Sequence, residues 1–167
     1  MNNTEYAIPA KSQSGKYLFA YFVGNRPEQE RIHFAVSEDG YNFFPLNNNE
    51  PVIIQTKGKK CVRDPYIVKG NEGFYYIVGT DMKSDEGWTS NHALVTWKSS
   101  DLINWTDETI IDIRDFGGNF ATTTRAWAPQ AIWDEKSKMY MLYWALCFLA
   151  VRLLRLVCLY HPLPKVL

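Results

Sequence analysis

At 167 residues the chain suits one domain, and 46% hydrophobic with 15% aromatic residues are enough to fill a packed core. Eighteen basic residues balance eighteen acidic ones, so the formal net charge is zero, no basic stripe forms, and no nucleic-acid partner is expected. Cys61, Cys147 and Cys158 lack metal-ligand spacing and read as free buried thiols.

Taken in chain order, Met1-Asn2-Asn3-Thr4-Glu5 has no charged-then-apolar secretion pattern. The sequence therefore places the protein in the cytoplasm, or in a secreted form if an upstream segment precedes it. Tyr17-Leu18-Phe19-Ala20-Tyr21-Phe22 reads as an aromatic strand, and Arg31-Ile32-His33-Phe34-Ala35-Val36 as the next. The turn Ser37-Glu38-Asp39-Gly40-Tyr41-Asn42-Phe43 follows, with Ser and Asp side chains placed to accept from the turn's own backbone N–H groups. Its aromatic is expected to plug the turn onto the sheet. Lys57, Lys59 and Lys60 read as a solvated loop.

From Val62 the pattern repeats in full: strands at Val62 to Lys69, Phe74 to Thr80, Ala93 to Lys98, and near Glu108 to Ile113. Ser99-Ser100-Asp101-Leu102-Ile103-Asn104-Trp105 repeats the earlier turn. A third copy opens at Trp127-Ala128-Pro129-Gln130, and aligning Pro65 with Pro129 lays Lys138–Tyr143 over Phe74–Gly79. Four-stranded meanders recurring about every 60 residues indicate propeller blades, so the expected class is all-β, an incomplete propeller of about two blades over residues 1–145. No helix-period segment precedes residue 145. His33 and His92 fall at corresponding strand positions and read as sheet packing.

In a propeller the innermost strands line a central channel. Asp64 and Gln130 lie on those strands, and strand alternation places both side chains on one face, toward one cavity. Arg63 alternates to the other face and is expected to pair behind the strand. Trp88, in the loop after the second aromatic strand, is a candidate sugar platform. Trp127 stands at the start of an inner strand, and Asp81 follows the aromatic strand, able to reach the channel or to cap a loop. Glu72, Glu86 and Glu135 fall in turns and read as solvated.

Arg63-Asp64-Pro65 before a Tyr-Tyr strand, then the Ser99–Trp105 turn, then Trp127-Ala128-Pro129 and another Tyr-bearing strand, resembles glycoside hydrolase family 43 over about residues 17 to 145. The resemblance implies a five-bladed β-propeller that cleaves arabinofuranosyl and xylosyl linkages in plant polysaccharides with inversion. It implies Asp64 as general base and places Gln130 where many members carry the Asp that tunes the general acid. Gln130 can hydrogen-bond but cannot repel a neighbouring carboxylate. It implies an oligo- or polysaccharide partner; Trp88, Trp127 and Asp81 are the candidate substrate contacts by position, with core packing the favoured reading for Trp127 and a loop cap for Asp81, and no membrane is expected. No cofactor is expected, with channel calcium open only by analogy, since no acidic cluster asks for it. The family's general acid is a Glu of a later blade, so this chain alone is expected to be inactive and, with open strand edges, prone to self-association. A carbohydrate-binding module without chemistry is the alternative.

After Ala145 the composition breaks. Residues 146–167, LCFLAVRLLRLVCLYHPLPKVL, carry eight Leu and no acidic residue, Gly, Ser, Thr or amide. A membrane helix is interrupted by Arg152 and Arg155. An amphipathic anchor is permitted by arginines three apart. The preferred reading is a segment foreign to the fold, produced by a shifted reading frame or an assembly error.

Overall fold

The computed structural model describes the backbone of residues 16–148 and 151–161 and the side chains of residues 16–147. Among the described residues ten strands form three antiparallel sheets, each a meander in which chain neighbours are sheet neighbours. The first sheet holds β1 (Tyr17–Tyr21), β2 (His33–Ser37) and β3 (Phe44–Pro45). The second holds β4 (Val62–Lys69), β5 (Tyr75–Asp81), β6 (Ala93–Ser99) and β7 (Thr106–Asp112). The third holds β8 (Thr123–Asp134), β9 (Met139–Phe148) and β10 (Val151–His161). Among the described residues there is no α-helix, and the sheets do not close into a ring.

The repeat is visible in atomic detail at its turns. Asp39 Oδ1 accepts from the N–H groups of Tyr41 and Asn42, both at 2.8 Å, and Asp101 Oδ1 accepts from Ile103 at 2.9 Å and Asn104 at 2.7 Å. Ser37 and Ser99 brace these carboxylates at 2.9 and 3.0 Å. The Asn42 N–H on Asp39 and the Asn104 N–H on Asp101 are the main reason both carboxyls sit well below the usual range. These aspartates are turn-builders. Trp105 packs edge-on to Phe34 across the sheet boundary at 6.0 Å, and Phe43, 37% exposed, packs against Phe19 of β1 at 5.5 Å, so both turn aromatics lie against a strand as the pattern implied.

The cores lie between sheets. Ile32, Phe34 and Ile53 meet Val62, Ile77, Val95 and Trp97 between the first and second. Tyr76, Val78, Leu94 and Ile111 meet Ala126, Ala131, Leu142 and Trp144 between the second and third. Along β5, Tyr76 and Val78 face the third sheet and Ile77 faces the first, the period of two that a strand buried on both sides requires. Each fully buried side chain such as Leu94 stabilises by about 1.5–3 kcal/mol.

The first strands of the second and third sheets, β4 and β8, carry the same irregularity. The β4–β5 register shifts between Arg63 and Tyr66, and the β8–β9 register shifts between Trp127 and Gln130. Inside each bulge one residue is left-handed, Asp64 and Ala128, both at φ 49°. Pro65 and Pro129 follow, and neither loses a ladder donor there. The alternation argument that set Asp64 and Gln130 on one face is thereby corrected: a bulge breaks the period of two. Gly79 accommodates the first bulge, since a Cβ there would lie 2.6 Å from Val62 Cγ2 and 3.2 Å from the Arg63 carbonyl.

The boundary drawn after Ala145 falls inside β9, where Leu146 and Cys147 are buried. Val151–His161 then pairs antiparallel with β9, from Leu156 opposite Ala145 to His161 opposite Tyr140. The backbone is strand rather than membrane or interfacial helix, because the open edge of β9 offers ladder hydrogen bonds to any apolar segment that can extend. The Cys158 side chain and residues 162–167 lie outside the described residues.

Candidate functional site

Asp64 is half-buried at the bulge of β4. Its Oδ2 accepts from the Thr80 hydroxyl on β5 at 2.9 Å, and Thr80 Oγ1 accepts in turn from the Ala128 N–H on β8, also at 2.9 Å. The left-handed residues of β4 and β8 are thus joined through one side chain.

Arg63 enters a buried ion pair. Its guanidinium donates to Glu30 Oε1 at 2.9 Å and to Asn25 Oδ1 at 2.8 Å. Both Glu30 oxygens also accept from the Ser84 N–H at 3.1 Å, so the loop that carries Trp88 is tied to the connection between β1 and β2. The Arg63 guanidinium lies 4.4 Å from the Phe22 ring centroid and 5.3 Å from that of Trp88.

Trp88 is 51% exposed and stands edge-on to Trp127 at 6.4 Å. Trp127 is partly buried, its indole N–H donates to Asn91 Oδ1, and Asn91 Nδ2 donates to the Ala126 carbonyl at 2.8 Å. Arg125 lies 5.1 Å over the Trp127 ring and donates to the Trp88 carbonyl at 3.0 Å. Phe22, Arg63, Trp88, Trp127 and Arg125 therefore form one cation–aromatic cluster with an open indole edge.

Asp81 is buried, and its Oδ1 accepts from Gln55 Nε2 at 2.5 Å and the Lys59 N–H at 2.8 Å. Burial pushes its carboxyl upward, against the hydrogen bonds from Lys59 and Gln55. Gly58 at φ 57° admits it, since a Cβ there would meet the carboxylate at 2.5 Å. Of the two roles open to Asp81, these contacts are those of the loop cap over Gln55–Lys59. Gln130 is exposed and accepts from the Tyr143 hydroxyl on its own sheet.

The turn glutamates are engaged locally: Glu72 by Tyr76, Glu86 by Lys59 and Glu135 by Lys138. His33 packs against the Tyr21 ring at 5.5 Å and His92 Nδ1 meets Asp112 Oδ1 at 2.9 Å. Among the described residues no three His, Cys, Asp or Glu side chains converge.

Sequence reasoning missed Glu30, Thr80, Asn91 and Phe22. Glu30 follows the charged stretch Arg26-Pro27-Glu28-Gln29, where a carboxylate reads as solvated. Thr80 was legible only as a strand residue. A hint lay in the alignment, which sets a lone hydroxyl at Thr80 opposite Trp144 in the next copy.

A family model described as "Probable glycosyl hydrolase domain", related to glycosyl hydrolase family 43, matches residues 13–151. An α-L-arabinofuranosidase of Bifidobacterium longum subsp. longum is 26% identical over 132 residues, covering 72% of this chain and 12% of that protein. A glycosyl hydrolase crystal structure from Bacteroides ovatus matches with a TM-score of 0.45 and 18% identity, covering 70% of this chain and 36% of the other. The chain thus spans a minor part of the length of both.

Proposed function

The chain belongs to the family 43-related glycosyl hydrolase domains, and from that membership we propose that it carries the base half of an inverting glycosidase site for arabinofuranosyl or xylosyl linkages. Asp64 is the general base: it takes a proton from the water that attacks the anomeric carbon. The observation that carries this is its placement, a half-buried carboxylate at the bulge of β4, fixed through Oδ2 by the Thr80 hydroxyl. Trp88 stacks on a sugar ring, Trp127 holds Trp88 edge-on, and Gln130 with Tyr143 offers a hydrogen-bonding pair to a sugar hydroxyl. The leaving oxygen requires a proton from a carboxylic acid roughly 6.5–9.5 Å from the base. We assign no described residue to that role, so residues 16–148 alone do not turn over an unactivated glycoside. The propeller of five blades and the foreign origin of residues 146–167 belong to the same proposal. Reading the encoding DNA in all three frames beyond codon 140 tests the latter.

Leaving-group chemistry gives a direct test. A 2,4-dinitrophenyl α-L-arabinofuranoside or β-xyloside departs without protonation, so a site holding only the base hydrolyses it. The full chain is expected to release dinitrophenolate with inversion, and Asp64→Asn to slow release by about 10²–10⁴-fold. An unchanged rate in Asp64→Asn overturns the assignment. A second reading, binding without chemistry, is favoured by the uncharged Gln130. It predicts no release but binding of arabino- or xylo-oligosaccharides that Trp88→Ala weakens.

A further inference from the structure

We propose that Thr80 is the positioning residue of Asp64, a one-way hydrogen-bond relay that lets the third sheet set the orientation of a carboxylate on the second. The proposal rests on Asp64 being the base.

Direction follows from chemistry. The Ala128 N–H can only donate, so Thr80 Oγ1 accepts from it at 2.9 Å. Thr80 is 0% exposed, and no water competes for its hydroxyl. The single hydroxyl hydrogen is left for Asp64 Oδ2, at 2.9 Å. Oδ2 is thereby committed as an acceptor and Oδ1 is the oxygen left to take a proton from water.

Three features make this a built arrangement. The bulge at Trp127–Gln130 takes Ala128 out of the β8–β9 ladder, freeing its N–H to reach across to β5. The equivalent bulge at Arg63–Tyr66 lifts Asp64 toward Thr80. Aligning Pro65 with Pro129 sets Thr80 over Trp144 and Asp64 over Ala128, so the copy without an inner-strand carboxylate also lacks the hydroxyl. Positive φ at a non-glycine residue is strained, and two such residues meet here at one hydroxyl.

Amide hydrogen exchange at Ala128, followed by NMR on the full chain, tests the relay without using activity. Thr80→Val keeps the shape and removes the hydroxyl, and is expected to speed Ala128 exchange about fivefold, the worth of one hydrogen bond, while Leu94 exchange stays in place. Thr80→Ser is expected within twofold of wild type. Asp64→Ala is expected to speed Ala128 exchange in the wild-type and Thr80→Ser backgrounds and to add nothing in Thr80→Val. An Asp64→Ala effect of equal size with and without the hydroxyl, or no effect in the wild-type background, overturns the relay. If Thr80→Val fails to fold, Asp64→Ala in the other two backgrounds decides. On the dinitrophenyl substrate, Thr80→Val is expected to lower kcat about tenfold at unchanged KM, with Thr80→Ser restoring it. A wild-type rate in Asp64→Asn removes the base reading instead and leaves the exchange result standing by itself.

Discussion

Replacing Glu30 with Ala should be among the most damaging single changes available outside the hydrophobic core. The side chain is 0% exposed and its partner Arg63 is 11% exposed, so neither charge is screened by water. Truncation leaves the guanidinium with Asn25 Oδ1 and two aromatic rings, and leaves the Ser84 N–H without its acceptor. Breaking a buried pair from one side costs about 3–5 kcal/mol, a large part of the 5–15 kcal/mol typical of a whole domain. With a urea m-value of about 2 kcal/mol/M, the unfolding midpoint should fall by about 2 M. Replacing Glu30 and Arg63 together by Met should cost less than either change alone, because no orphan charge remains. A loss under about 1 kcal/mol in Glu30→Ala, or a double variant as damaged as the sum of its parts, would refute the argument.

Three further outcomes follow from local geometry. Gly79→Ala forces a methyl against Val62 and the Arg63 carbonyl and should cost about 1–3 kcal/mol in urea unfolding. Asp101 has a depressed carboxyl, so the stability it contributes is full above about pH 4 and is lost as pH falls through its folded value. The stability gap between wild type and Asp101→Asn should therefore narrow on acidification from pH 5 to pH 2, measured by thermal melts. Burial, with Glu30 nearby, pushes the Cys61 thiol up to about 11. At pH 8 its alkylation by iodoacetamide should run about 200-fold slower than in urea-unfolded protein, read by mass spectrometry.

The sequence showed the repeat because its parts are local. Ser and Asp spaced two apart in each turn bond to the next few N–H groups, and β4 came out at Val62–Lys69 as read. Edges shifted by a residue or two where pairing, not propensity, ends a strand. Of the proposed site, Asp64 stands out in the sequence at the repeat's Asp-Pro position and Trp88 as a lone aromatic in the loop after β5. What stayed hidden spans long separations: Glu30 meets Arg63 across 33 residues and Ser84 across 54, and Asp81 closes a loop 22 residues back. Asp-Pro and Ala-Pro within strands were a usable sign of bulges, and reading them so would have prevented the alternation argument.

Because the apolar clusters occupy the gaps between sheets, no sheet owns a complete core. A chain growing from the ribosome must hold the aromatic face of its first meander open until Ile77, Val95 and Trp97 have been synthesised to cover it. The second meander waits likewise for Leu142 and Trp144. Folding should therefore advance as a zipper with a lag of one meander, and each newly made sheet is for that interval a natural client for a holding chaperone.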